Sequence, residues 1–315
     1  MVPVDGQAWT VEPFCLSEAD GKLFGRGTAD MKGYLASVLA AVPVFLASDL
    51  HRPVHLALSY DEEVGCLGVR SLLERLPQRI PAPALCLIGE PTELKPVLGH
   101  KGKLAMRCHV RGAACHSAYA PSGVNAIEQA ARLIGRLGEI GATLAEPELQ
   151  DPRFDPAYST VQVGVIQGGT ALNIVPADCR FDFEVRALPD FAPQAVVDEL
   201  QHYAQTTLLP AMQAIKPETS IRFEQLSAYP GLATAQDSAA ARLIAQLCGS
   251  DAFSTVAFGT EGGLFDAAGI ATVVCGPGSM EQGHKPDEFV SVEQLHACDR
   301  LMDRLAAWLS APDEQ

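Results

Sequence analysis

Three adjacent carboxylates, Asp61, Glu62 and Glu63, stand in the stretch S-Y-D-E-E-V-G at Ser59–Gly65. They follow an apolar run that predicts a buried strand over Val54–Tyr60. Like charges side by side repel, and desolvation beside a packed sheet adds to the penalty. A bound cation would offset both. For these three acids alone, a solvated acidic loop is the plainer alternative. Asp30, Glu90 and His284 share a similar setting, each after an apolar run or a Gly-rich turn. Asp30 follows Gly25 and Gly27 and precedes a helical pattern, so helix capping is its plainer role. Carboxylates with an imidazole suit zinc, cobalt or manganese. There is no H-E-x-x-H, so such a site must be assembled from distant segments.

The elements around these residues alternate. A helix is predicted from Lys32 to about Ala47, with Pro43 kinking or breaking it. Another helix follows the acidic turn over Gly65–Leu76, then an apolar strand over Ala84–Ile88 that ends in Gly89-Glu90. Strand, helix, strand predicts parallel βαβ units covered on both faces, with ligands gathered at the carboxyl ends of strands. Glu62, Glu63 and Glu90 are expected there.

From about Gly99 the texture changes. Lys103–Arg111, Thr160–Ile166, Cys179–Ala187 and Ser220–Leu226 alternate apolar and polar residues, as half-exposed antiparallel strands do. Helices are predicted near Asn125–Leu137 and Ala195–Thr207. This is a βαββαβ order, an α+β domain over residues 99–229. After Gly231 the α/β texture returns, with helices at Ser238–Cys248 and Val292–Leu309 and strands at Thr255–Phe258 and Thr272–Cys275. The layout is an α/β domain, residues 1–98 and 230–315, interrupted by a smaller insert.

The formal net charge of −15 argues against nucleic acid, whose phosphates require basic surface. No apolar run is read as a membrane span, and the first residues lack the basic and apolar regions of a signal peptide. Nine cysteines, scattered and without C-x-x-C, read as reduced thiols of a cytoplasmic protein.

G-R-G-T-A-D-M-K-G, S-Y-D-E-E-V-G, I-G-E-P-T, A-C-H-S and G-P-G-S-M-E-Q-G-H-K-P-D-E together resemble the signature blocks of the M20 metallopeptidase family. They stand in family order over residues 1–291. The blocks V-P-V-D-G-Q-A-W, G-T-E-G-G-L-F and the last of those above are similar to the acetylornithine deacetylase branch. The resemblance implies an exopeptidase-like α/β catalytic domain with an inserted ferredoxin-like lid and dimerisation domain. It implies two zinc ions per subunit, with cobalt as an alternative. Asp30 would bridge the ions, Glu63 and Glu90 would each hold one, and His284 would supply an imidazole. Glu62 would be the general base. His116 would stabilise the oxyanion across a homodimer interface formed by residues 99–229, and Asn173 and Arg186 would hold substrate carboxylate or oxyanion. Gly278 and Ser279 would line the acyl end. Without the resemblance, His116 reads as a turn histidine and Arg186 as an exposed sheet-face charge.

The implied activity is amide hydrolysis, releasing acetate from N2-acetylornithine in arginine biosynthesis. Succinyl-diaminopimelate, other N-acyl amino acids and dipeptides are alternative substrates, and a non-catalytic dimeric binding protein is the alternative of another class. The chain departs from the family in one respect. Relatives carry a His-x-Asp motif just before V-P-V-D, whereas here Met1 stands at that point. An upstream segment of ~80 residues is therefore expected to be missing, with one metal site short of its imidazole and activity impaired.

Overall fold

The computed structural model describes residues 2–312, so Met1, where the expected upstream motif would join, lies outside the described residues. The chain forms two compact units. One comprises the chain up to His100, Leu232–Val256 and the chain from Thr260 onward; the other comprises Lys101–Gly231 and Ala257–Gly259.

The first unit is built on a five-stranded sheet. Its order is Ser254–Val256, Val97–His100, Thr272–Gly276, Cys86–Pro91, with Leu232–Ala233 also paired to Val97–His100. Thr272–Gly276 runs parallel to Cys86–Pro91 but antiparallel to Val97–His100, so the sheet is mixed rather than parallel throughout. Alternation along Thr272–Gly276 sends Val273 and Cys275 into one core and Val274 into another. The larger core receives Tyr34, Val38 and Phe45 from helix Gly33–Ala47 and Leu301 and Met302 from helix Val292–Leu309. The latter helix buries Cys298, Leu301, Met302 and Leu309, one stripe at helical spacing, and Ser291 caps it by accepting from the Gln294 N–H. A separate antiparallel sheet joins Ser17–Ala19, Lys22–Phe24 and Phe289–Ser291. Its hairpin turns on Asp20-Gly21, both at positive φ, the pair a two-residue turn of this kind favours.

Three expectations are corrected here. No strand forms at Val54–Tyr60: no described strand pairs with it, and Leu56, Leu58 and Tyr60 are exposed. An apolar run becomes a strand only where a neighbour completes its ladder. Pro43 does not break Gly33–Ala47: the helix runs through it to Ala47, with Pro43 exposed on its outer face. The stretch Thr28–Ala47 is long and apolar enough to cross a membrane by length and composition. Its buried face, Tyr34, Val38, Ala41 and Phe45, packs in the larger core.

The second unit is a four-stranded antiparallel sheet in the order Thr160–Gly168, Asp178–Ala187, Gly102–Arg111, Ser220–Tyr229. Helices Ala126–Leu144 and Gln194–Tyr203, the latter continuing to Ile215, cover one face. The βαββαβ connection and strand order are ferredoxin-like. Strict alternation buries Leu104, Met106, Cys108 and Val110 beneath the helices and leaves Lys103, Arg107 and His109 on the open face. There Arg107 and Asp182 form a two-pronged pair, at 2.7 Å on each side.

Candidate functional site

In the first unit, four separate segments deliver acids and an imidazole to one place. Asp30 lies in the irregular turn Thr28–Lys32 that precedes Gly33–Ala47. Glu90 lies at the carboxyl end of Cys86–Pro91, where a parallel neighbour lets ligands gather. Gly89 precedes it because a Cβ there would stand 1.9 Å from the Tyr34 ring. Glu62 and Glu63 occupy a tight turn, not a strand end: the Glu62 carbonyl accepts from the Gly65 and Cys66 N–H groups. His284 projects from the loop after Thr272–Gly276, held at φ 62, a conformation few side chains adopt.

The His284 Nε2 lies 2.9 Å from Asp30 Oδ2 and 3.3 Å from Glu63 Oε2. One donor atom from each of the three falls within 4.8 Å of the other two, the compass of a single ion. Their side chains are 12%, 22% and 48% exposed in the order Asp30, Glu63, His284, which leaves an approach from solvent. Glu90 is 5% exposed and hydrogen-bonded to Asp30. Asp30 therefore belongs to the three-residue group and also meets a second carboxylate.

The carboxylates raise one another. Burial first, then the charges of Asp30 and Glu62, hold Glu90 well above the ordinary carboxylate range. Burial and the neighbouring Glu63 push Glu62 up to about 7, against which a Cys66 Sγ–H donating at 3.5 Å acts weakly. Burial and Asp30 raise Glu63, with His284 opposing them. This is an acid cluster short of positive charge, and a divalent cation is the partner that fits it. The donor set of three carboxylates and an imidazole fits zinc, cobalt or manganese.

The loop G-P-G-S runs beside the segment that follows Glu90. Gly278 (φ 86) accepts from the Glu93 N–H at 2.6 Å through its carbonyl, and Ser279 bridges to Thr92. Both residues thus sit beside the cluster, Gly278 close to Ala29.

His116, Asn173 and Arg186 belong to the second unit. His116 pairs with Ile174 in an isolated bridge, and Ser117 donates to the Asn173 carbonyl at 2.9 Å, so His116 and Asn173 are neighbours. The Ala118 N–H donates to His116 Nδ1, which places the proton of the neutral ring on exposed Nε2. Arg186 instead lies on the sheet, donating to Glu184 through Nε and to Tyr229 through Nη1.

Two acids escaped the sequence reading. Glu261, in G-T-E-G-G, is close enough to help raise Glu62; Ser59 donates to one of its oxygens at 2.8 Å while the other is buried without a partner among the described residues. A carboxylate after an apolar run was the signal available for it. Glu288, in K-P-D-E, accepts from the N–H groups of Ala29 and Asp30. Its position beside His284 was the only hint.

An α/β unit bearing a carboxylate–imidazole cluster, in a chain with a ferredoxin-like insert, describes the class of metal-dependent exopeptidase-like hydrolases. The chain belongs to peptidase family M20/M25/M40, whose model matches residues 1–308. It is 37% identical over 306 residues to an acetylornithine deacetylase of Myxococcus xanthus, spanning 97% of this chain and 77% of that protein. It is 33% identical over 304 residues to the acetylornithine deacetylase of Pasteurella multocida, spanning 96% and 77%. Among solved structures, an M20 family metallo-carboxypeptidase from Sulfolobus solfataricus superposes with a TM-score of 0.76 at 19% identity, over 98% of this chain and 82% of that one. Aminopeptidase PepT from Bacillus cereus gives 0.73 at 22%, over 94% and 76%. The protein is an M20 family hydrolase of α/β fold.

Proposed function

We propose that the chain hydrolyses the amide of an N-acylated amino acid, with N2-acetylornithine as the leading substrate. The observation that carries this is the cluster of Asp30, Glu63 and His284 with Glu62 beside it and Glu90 behind. The relatives named acetylornithine deacetylase support the acyl and amine preference. Asp30, Glu63 and His284 would hold one ion, and Asp30 with Glu90 a second, zinc or cobalt in each. When bound, the metal supplies Lewis acidity toward the acyl carbonyl and toward water. Glu62 takes the proton of the attacking water and passes it to the departing nitrogen as the C–N bond breaks, so that acetate and a free amine leave. A carboxyl poised near neutral pH suits that exchange.

His116, through its Nε2–H, and Asn173 would stabilise the developing oxyanion, His116 acting from the partner subunit of a homodimer joined through residues 99–229. Arg186 keeps Nη2 uncommitted among the described residues and would take the substrate carboxylate. Gly278 and Ser279 would line the acyl end. Nine free thiols accord with a reducing, cytoplasmic setting, and acetylornithine as substrate would place the reaction in arginine biosynthesis.

The test is a substrate panel with the purified chain loaded with Zn2+ or Co2+. Release of ornithine from N2-acetylornithine is expected. Cleavage of succinyl-diaminopimelate, another acyl amino acid or a dipeptide without ornithine release would reject the substrate and keep the reaction class. No bound metal and no hydrolysis of any member would favour a non-catalytic dimeric binding protein. A strict monomer on size measurement would remove His116 from a role in trans.

A further inference from the structure

Glu288 is spent entirely on other groups of the site's own framework. Its side chain is 1% exposed and that of Arg26 is 2% exposed. One carboxylate oxygen, Oε2, accepts from Arg26 Nη1 at 2.7 Å. The other, Oε1, accepts from the main-chain N–H of Ala29 at 2.9 Å and of Asp30 at 3.1 Å. Arg26 reaches onward with Nη2 to Gln7 Oε1 at 2.5 Å, and Gln7 Nε2 donates to the main-chain carbonyl of His284 at 3.0 Å. One continuous chain of bonds therefore runs from the backbone of Asp30 to the backbone of His284. Its ends lie 254 residues apart in sequence, and it grips both through the main chain, leaving carboxylate and imidazole free.

A buried ion pair adds little stability compared with apolar residues of the same size, so its presence here calls for another reason. We infer that Glu288, acting through Arg26 and Gln7, is a positioning residue that fixes the separation of Asp30 and His284 and so sets the affinity for a divalent cation. The inference rests on the metal-binding reading of those two residues given above. Groups that orient metal ligands from behind are worth about 10–100-fold in metal affinity. Glutamine cannot replace Glu288: with its oxygen toward Arg26 its amide NH2 faces two backbone donors, and turned the other way it faces the guanidinium.

The experiment measures Co2+ and Zn2+ affinity by chelator competition, and the visible absorption of bound Co2+, for the unaltered chain, Glu288→Gln, Gln7→Ala and the double variant. Thr234→Val is the control. It removes a buried hydroxyl that donates to the Thr272 carbonyl within the sheet, and lowers stability without touching the network. Each network variant should weaken metal binding by about 10–100-fold and alter the Co2+ spectrum. The double variant should lose no more than the stronger single one, because both cut the same chain of bonds. Should Glu288→Gln not fold, Gln7→Ala at its half-buried position carries the test alone. Unchanged metal affinity in variants that melt earlier, as the control does, would reduce the network to a structural brace and overturn the inference. An unaltered chain that takes up no Co2+ or Zn2+ would overturn the metal-binding reading and this inference with it.

Discussion

Glu62, Glu63 and Glu90 are acids placed where charge is penalised, and that has a consequence for stability before any chemistry. Glu62 rises from 4.5 to about 7 on folding, and Glu63 and Glu90 also rise. Between those values the folded chain holds more protons than the unfolded one, so stability falls as pH rises. Asp151, Asp182 and Asp287 are held below the ordinary range by Arg153, Arg107 and the Thr10 backbone respectively, and finish ionising beneath that window. The metal-free protein is therefore expected to melt at a lower temperature at pH 8 than at pH 5.5. Added Zn2+ or Co2+ should raise the melting temperature more at pH 8, where the acids are ionised. A metal-free melting temperature that climbs across this interval would contradict the reading. Glu62→Gln is expected to reduce amide hydrolysis by about 10²–10⁴-fold, and chelator competition should find its metal affinity little changed. The residues that carry this were legible in part. Asp30, Glu63, Glu90 and His284 each stood after an apolar run or Gly-rich turn, which made them candidates. Glu288 was not legible, because nothing in K-P-D-E says that its side chain turns back to the amides of residues 29 and 30.

At the scale of the element, close approach decides more than propensity. A methyl group at Gly89 would overlap Tyr34, whose hydroxyphenyl is buried in the larger core, and no flexible chain end is there to yield. Gly89→Ala is expected to cost about 1–3 kcal/mol in a denaturant titration, as overpacking does, and to displace Glu90 with it. Gly135 on helix Ala126–Leu144 offers the opposite case, since nothing lies within 4 Å of its added Cβ. Gly135→Ala should stabilise by about 0.5–1 kcal/mol. Elements whose pattern carries its own period were readable: Val292–Leu309 from its apolar stripe, and the strands of the second unit from strict alternation. Val54–Tyr60 misled because a short apolar run does not state whether a neighbour exists to receive its hydrogen bonds. The hairpin at Asp20-Gly21 was available from its turn residues and went unread, since its strands have only three residues each.

At the scale of the whole molecule, the second unit has the marks of a self-sufficient fold. Leu133, Phe181, Val185 and Leu200 are completely buried in a core that its own helices and sheet complete. A fragment of residues 101–231 is expected to fold alone, with cooperative thermal unfolding and the far-ultraviolet circular dichroism of an α+β protein. A fragment that stays unfolded would show that its core needs the rest of the chain. The entry and exit of this unit lie on adjacent antiparallel strands: Lys103 pairs with Tyr229, and a Cβ on Gly102 would come 2.7 Å from the Gly231 nitrogen. That closeness orders events during synthesis. The strand Thr272–Gly276 and helix Val292–Leu309, without which the first unit has neither its middle strand nor its core, leave the ribosome after the insert. Residues 2–100 must wait for them, while the insert can close on itself as soon as Tyr229 emerges. The acids of the metal cluster are then brought together only when His284 arrives, so between the emergence of Tyr229 and that of His284 the nascent chain has one folded domain and no place to hold an ion.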